Sequence, residues 1–368
     1  MKKLRFIKCN DSYADFSTSI SPAVEKGLEY GVASNTVLLN VFSTDSITSG
    51  YLDDPEKAID LAFCEQAGIV VRRRQNTGGA VFGPKGGAFL CLYLNPRALG
   101  VPMTNIKDAF QVSLTAMAEA VEELWHIPAR YRPLNDIEVE GRKLVPSSAR
   151  LENGILTLRL LINVVNTDRA VLSKAIITNP EKVKDKAIKD VGARYTSLEN
   201  ELNREITGED MEQLSRLTIA KMFGDDLELV PGQLTPEEEQ YLKEYQKTYN
   251  SPEWFFANSE RIRFKGAHPY AIKSEGNQKA VAGLIRVTLL SREGRMDDLI
   301  VTGDFHPSPY RVTRDIEHAL RGKPCDLAVV RQELERIYAR EDVEMAGIEI
   351  DDFMTAFAKA FGKEFGPQ

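Results

Sequence analysis

The run NTVLLNVF, Asn35 to Phe42, is apolar and β-branched with little polar alternation, so it is read as a strand buried within a sheet. GAFLCLYLN, Gly87 to Asn95, is a second such run, and IVVRRR, Ile69 to Arg74, is a third strand that ends in three cations. Helical patterns alternate with these strands. One spans Pro22 to Ala33, and another covers DPEKAIDLAFCEQAG, with Pro55 near its start and Gly68 past its end. A third runs from about Lys107 to Trp125 and precedes a further strand pair, NDIEVEGRKLV and LTLRLLINVV. Residues 173–247 are mostly helical and highly charged, with a break at VPGQLTP. After Trp254 the character changes: GLIRVTLLSREGRMDDLIVTGDF alternates like two antiparallel strands about a glycine-bearing turn. Helices follow near Arg314 to Leu320 and Leu327 to Ala339. The order predicts an α+β chain rather than a doubly wound parallel sheet. A boundary near residues 245–252 divides it into residues 1–248 and 249–368.

Bulk properties remove several classes. At 368 residues, 43% hydrophobic and 27% charged, the chain suits two domains, or one large domain with an appendage. It has no stretch of about 18 apolar residues, so no membrane span is expected. Its start, MKKLRFIKCNDSYADF, lacks the apolar run of a secretory signal. A net charge of −7 argues against nucleic acid as a partner. Cys9, Cys64, Cys91 and Cys325 are scattered without a CxxC pair, so neither a disulfide framework nor a zinc cage is expected, and a reducing cytoplasm is the simplest compartment. His126, His268, His306 and His318 include no pair with metal-ligand spacing on one helix.

Chemistry concentrates in two segments. In Arg72-Arg73-Arg74-Gln75-Asn76-Thr77-Gly78-Gly79-Ala80-Val81-Phe82, cations at a strand end precede paired glycines. Glycine lets the main chain approach a ligand closely, and exposed N–H dipoles favour phosphate or carboxylate oxygens. A tight hairpin with a solvated basic strand end has the same spacing. Neither GxxxxGK[ST] nor GxGxxG occurs, so no P-loop or Rossmann site is expected. The second segment, Asn135 to Ala149, joins an Asn-Asp pair, a strand, the turn residue Gly141, and Lys143. A lysine beside a bound nucleotide neutralises the α-phosphate and steadies developing negative charge. The alternative is a surface hairpin with an exposed lysine.

In this order, RRxxxGGAVF, NDxxVxGxK and SSA resemble the lipoate–protein ligase A family, in which RRxxGGGAVF, ND and a GxKxxGSA-like segment recur. The resemblance extends along nearly the whole chain. Ser49-Gly50-Tyr51, LLIN at Leu160 to Asn163 and RYTSLENEL at Arg194 to Leu202 match further stretches of the family. WFFAN at Trp254 to Asn258, TGDF at Thr302 to Phe305 and AGIEIDDFMTAF at Ala346 to Phe357 match its C-terminal part. The resemblance implies a large domain with a central mixed or antiparallel sheet flanked by helices, related to biotin ligases, plus a small α+β accessory domain. It implies ATP, Mg²⁺ and lipoate, or a related acid such as octanoate, as cofactor and substrates. The acid is adenylated and then passed to a lysine of a lipoyl-acceptor domain, of the 2-oxoacid dehydrogenase E2 or glycine cleavage H protein type.

Residue by residue, the resemblance assigns the catalytic role to Lys143. It places Gly78, Gly79, Ala80, Phe82, Asn135, Asp136 and Lys143 at the nucleotide, and Arg74, Gly79, Lys143, Ser148 and Ala149 at lipoate. Asp136 is the residue implied at the metal. The chain departs from the family at four places. Thr77 stands at the first glycine of the triplet, which puts a side chain beside the expected ligand. Gly83-Pro84-Lys85-Gly86-Gly87 replaces His-Asp-x-Gly-Asn, one extra residue (with Pro146 nearby) separates Lys143 from Ser148-Ala149, and Leu158-Arg159 stands where HGT is usual. These changes keep open a repurposed or non-catalytic protein that binds a lipoyl domain or an acyl-adenylate. A cysteine-dependent acyltransferase is a third class, but Cys91 and Cys64 have the apolar neighbours of core residues. His306, beside Asp304, is read as turn chemistry, and Trp125 and Trp254 as packing residues.

Overall fold

The computed structural model describes residues 2–183, 194–224 and 227–362. Its strands in chain order are β1 (Lys2–Ser12), β2 (Thr36–Phe42), β3 (Ser46–Ser49), β4 (Val70–Arg73), β5 (Val81–Gly83), β6 (Ala88–Leu94) and β7 (Arg130–Arg132). They continue as β8 (Asp136–Val139), β9 (Arg142–Glu152), β10 (Ile155–Ile162), β11 (Leu227–Pro231), β12 (Ile272–Ala280), β13 (Gly283–Arg292) and β14 (Arg295–Gly303). The centre is an eight-stranded mixed sheet in the order β11-β1-β2-β6-β10-β9-β8-β7. Its β11, β1 and β2 run parallel, and the pairs from β2 onward are antiparallel.

The unbroken apolar runs occupy the middle of this sheet because both of its faces are covered. Alternation along β6 sends Leu90 and Leu92 to one face, where they pack with Phe110, Leu114 and Met117 of the Ile106–Trp125 helix. Phe89, Cys91 and Tyr93 face the other way, against Ile20 and Val24 of the Ala14–Glu29 helix. The Ile106–Trp125 helix begins where the sequence places it, and the Asn105 side chain caps it by accepting from the Asp108 amide at 2.8 Å.

Two helices differ from expectation. The first starts at Ala14 and carries Pro22 in its interior rather than at its first turn. Its serine- and threonine-rich first half is buried with the rest of that face, so packing on the sheet outweighs propensity. The segment after Asp54 forms two short helices, Pro55–Ala58 and Leu61–Gln66, because Asp54 and Asp60 each cap a new turn.

A smaller sheet, β4-β3-β5, presents the RRRQNTGG turn at the edge of the large one. The C-terminal unit is the antiparallel sheet β12-β13-β14, with the Ile350–Phe361 helix laid directly on it. Gly276 permits that contact: a Cβ there would lie 1.9 Å from the Ala356 carbonyl oxygen. Val287, Leu289, Leu299, Phe353 and Phe357 fill a core of their own, into which Leu52 from the N-terminal unit is inserted. The junction is reinforced at Arg73, whose guanidinium lies 4.7 Å from the ring centroids of both Tyr51 and Trp254. Trp254 also stacks on Tyr249 and donates its indole N–H to the Arg73 carbonyl at 2.8 Å. Among the described residues no helix is long and apolar enough to cross a membrane.

Candidate functional site

The glycine turn, the Asn135–Lys143 segment and the TGDF turn of the C-terminal unit converge on one cavity of about 990 Å³. Gly78, Gly79, Ala80 and Phe82 line it, as do Asn135, Asp136 and Lys143. One side is polar. Another is a recess of Ala58, Val81, Phe82, Leu161, Leu172 and Ile176. Such an arrangement suits a ligand with a charged head and a hydrocarbon tail.

Arg74 shapes the turn from behind. Its buried guanidinium donates to the carbonyl oxygens of Thr48 at 2.8 Å, Thr77 at 2.8 Å and Gly79 at 2.9 Å. In a trans peptide the N–H points opposite the C=O, so the amides of Gly78 and Ala80 point away from Arg74. Burial, and then the charge of Arg159, push Arg74 down to about 9, which leaves it cationic at neutral pH. Arg74 borders the cavity, but both of its terminal nitrogens are engaged with main-chain oxygens.

Lys143 Nζ lies 2.7 Å from Asp136 Oδ2. Burial works against the lysine's charge, but Asp136, Tyr195 and Glu138 outweigh it and hold its pKa above the ordinary value. Asp136 Oδ1 is buried and has no hydrogen-bond partner among the described residues, so one carboxylate oxygen remains for a ligand donor or a cation. No cluster of three His, Cys, Asp or Glu side chains able to hold a metal occurs among the described residues. Asp136 is thus the carboxylate that the Asn135–Lys143 segment offers to a cation.

Asn135 is fixed from several directions: its carbonyl accepts from the Ser147 amide at 3.0 Å and the Ser147 hydroxyl at 2.7 Å. A bulge between β8 and β9 leaves Leu144 without a β8 register partner and takes up one residue between Lys143 and Ser148. Ser147 and Pro146 thereby border the cavity, whereas Ser148 and Ala149 lie buried in β9 outside its lining.

Thr77 does not project into the cavity. Its hydroxyl lies 3.0 Å from the Ala149 carbonyl oxygen and 2.8 Å from His306 Nδ1, and the residue is buried. His306, read from sequence as part of a turn, is thus a buried contact between the two units. Its proximity to Thr77 had no sequence signal, because the pair is separated by 229 positions. Arg159, at the place of the family's HGT, is buried beneath the Ala14–Glu29 helix, where it donates to the Ser17 carbonyl at 3.1 Å and covers the Phe89 ring. Cys64 and Cys91 are buried, and burial raises both thiols.

Residues 25–218 match the lipoyl protein ligase A/B catalytic domain. Lipoate–protein ligase 2 of Staphylococcus aureus is 22% identical over 291 residues, covering 78% of this chain and 79% of the relative. P. falciparum LipL1 in complex with lipoate superposes with a TM-score of 0.68 at 16% identity, over 96% of this chain and 98% of that one. A lipoate–protein ligase A bound with ATP gives 0.58 at 16% identity, over 70% of this chain and 99% of that one. The ligase of the Thermoplasma acidophilum system, described with its E2 lipoyl domain, gives 0.59 at 19% identity, over 70% and 97%. At these identities the superpositions establish the lipoate ligase-like α+β fold. The match to more than half of the sequence goes further: this chain belongs to the lipoyl protein ligase A/B catalytic domain family.

Proposed function

We propose that the chain is an ATP-dependent lipoate–protein ligase, which adenylates lipoate or a related acid such as octanoate and transfers the acyl group to a lysine of a lipoyl-acceptor domain. The acceptor is of the 2-oxoacid dehydrogenase E2 or glycine cleavage H protein type. The observation that carries this reading is Lys143, held by Asp136 in the wall of a cavity that the Gly78–Gly79 turn and apolar side chains also line. Residues 1–248 form the catalytic unit and residues 249–368 the accessory unit.

The chemistry needs positioning and charge stabilisation more than a covalent nucleophile. In the first step the acid's carboxylate oxygen bonds to the α-phosphorus of ATP and pyrophosphate leaves. In the second, a lysine amine of the acceptor attacks the acyl carbon and AMP leaves. The recess from Val81 to Ile176 takes the acyl tail, and the glycines let the main chain approach the reacting head. Lys143 neutralises charge that grows on the α-phosphate and the anhydride oxygens. Asp136 would hold Mg²⁺, which when bound neutralises phosphate charge.

Acid-dependent ATP–pyrophosphate exchange tests the proposal directly. Exchange should require lipoate or octanoate, and folded protein that exchanges with neither acid would refute the reading. The glycine approach makes a second prediction. A Cβ on Gly50 would lie 1.6 Å from the Gly78 carbonyl oxygen, a main-chain contact that cannot yield without moving the turn. Gly50→Ala should therefore lower exchange by about 10²-fold, the scale of a 1 Å misplacement. Unaltered exchange would show that the turn does not position the substrates. Cys64→Ala/Cys91→Ala should keep full acceptor acylation, because neither buried thiol borders the cavity. Loss of transfer with adenylation intact would instead indicate a cysteine-dependent route.

A further inference from the structure

His306 belongs to the accessory unit, yet its ring is only 1% exposed and lies against the catalytic turn. Its hydrogen bonds can be assigned by elimination. Thr77 Oγ1 is within bonding distance of the Ala149 carbonyl oxygen and of His306 Nδ1. A carbonyl oxygen only accepts, so the hydroxyl proton goes to Ala149, and Nδ1 carries the proton that goes to Thr77. The neutral ring then has Nε2 as an acceptor, and Nε2 faces Asn135 Nδ2 at 3.4 Å. The same amide nitrogen donates to the Ser147 carbonyl at 2.9 Å. Both Nδ2 hydrogens are taken up, so Asn135 offers a ligand in the cavity only its Oδ1 acceptor.

The surroundings allow little other placement of the ring. Phe110 meets it edge-on at 5.3 Å, and a Cβ on Gly78 would lie 2.9 Å from His306 Cε1. At Thr77 a hydroxyl stands where the family it resembles has glycine, and the C-terminal unit supplies an imidazole that meets it. In this arrangement Asp304 approaches Gly79, and the turn from Lys279 to Gly283 borders the cavity, so the accessory unit covers the site.

We propose that His306 is a positioning residue for the ligase reaction: through Thr77 it latches the accessory unit over the cavity, and through Asn135 Nδ2 it holds that side chain as an acceptor while the acyl-adenylate is retained. The proposal rests on the ligase reading above. Undocking the turn frees one Asn135 hydrogen, which makes the same side chain a donor suited to a phosphate oxygen. Coverage matters because the mixed anhydride must be kept from water.

The latch also has a pH signature. Burial, and then the Arg74 charge, push His306 down to about 4, with Asp304 opposing. Arg74 and Asp304 are the charged groups that face the ring, the Asp136–Lys143 pair stands beside Asn135, and the Ile106–Trp125 helix contributes the uncharged Phe110. A histidine released to solvent titrates near 6.5, so closing sheds a proton. The latch is at full strength above about pH 6.5 and weakens by about tenfold per pH unit as pH falls toward 4.

A double-mutant cycle with His306→Ala and Thr77→Val, and Thr77→Ser as the variant that keeps the hydroxyl, tests this. The first readout is AMP released per acyl group transferred, with ATP, lipoate and an E2-type lipoyl domain. Each single variant should raise this ratio about tenfold, the double variant should raise it no further because the residues act as one unit, and Thr77→Ser should stay near the parent value. Additive effects, or a Thr77→Ser variant as wasteful as Thr77→Val, would overturn the proposal. The second readout is amide hydrogen exchange across residues 76–80 in substrate-free protein, corrected for intrinsic rate, at about pH 5 and about pH 7.5. Protection should fall at the lower pH in the parent chain and be weak at both values in His306→Ala. Equal protection at both pH values in the parent would overturn the latch. This measurement uses no substrate, so it separates failure of the latch from failure of the ligase reading.

Discussion

Replacing Lys143 with alanine is expected to lower acid-dependent ATP–pyrophosphate exchange by about 10²–10³-fold, the loss typical of removing one preorganised partner of developing charge. The ammonium lies in the cavity wall, 2.7 Å from Asp136, and burial opposes its charge less than Asp136, Tyr195 and Glu138 support it. It is therefore cationic throughout the physiological range, and no deprotonation step weakens it. The same pairing complicates the single variant, because Lys143→Ala leaves the mostly buried Asp136 carboxylate uncompensated. Thermal unfolding should be followed in parallel, with Lys143→Ala/Asp136→Asn as the decisive comparison. The double variant should recover stability lost by the single one and recover none of the exchange. Restored exchange in the double variant would mean that Lys143 serves to balance Asp136 and not the adenylate. Lys143→Arg keeps the charge in a broader, planar group, and its exchange should fall between that of the parent chain and that of Lys143→Ala.

Much of this site was legible because its parts are local. RRRQNTGGAVF is one strand end and its turn, and Asn135 to Lys143 is one hairpin, so each motif carries its geometry within a few residues. The apolar runs of β2 and β6 likewise predicted buried strands, since a central strand covered on both faces has no polar alternation to show. What the sequence hid depends on long-range packing. The first helix extends back to Ala14 because a sheet face receives it, and nothing in STSISP signals that face. The shift from Ser148 to Ser147 at the cavity follows from a bulge in β9 pairing. From its position in the motif Thr77 adds bulk beside a ligand, and only docking of the accessory unit shows its hydroxyl turned toward Ala149 and His306.

Glu25 offers the largest expected effect on stability. It lies on the buried side of the Ala14–Glu29 helix, bonded to the Arg150 guanidinium and the Thr157 hydroxyl. Gln75 completes the cluster when its amide is oriented to donate to Glu25 at 3.2 Å and accept from Arg150 at 2.8 Å. Burial raises the Glu25 carboxyl even though Arg150 opposes the shift, so the ion pair sits where desolvation is costly. Glu25→Ala strands the guanidinium and should destabilise the chain by about 3–5 kcal/mol in denaturant unfolding. The paired change Glu25→Gln/Arg150→Met should cost less than the sum of its single changes, because neither charge is left alone. A Glu25→Ala loss below about 1 kcal/mol, or strict additivity, would refute the account. Arg150→Met adds a pH test. Its Glu25 carboxyl, raised further without Arg150, can take a proton, so the variant should be least impaired below the ordinary carboxylate range and lose stability as pH rises above it. Gln75 stands two positions before Thr77, and the Arg150 guanidinium lies 5.6 Å from the Tyr310 ring centroid of the accessory unit. Damage to this cluster should therefore loosen both the glycine turn and the docked unit, and Glu25→Ala should lose adenylation at temperatures where most of its chains remain folded.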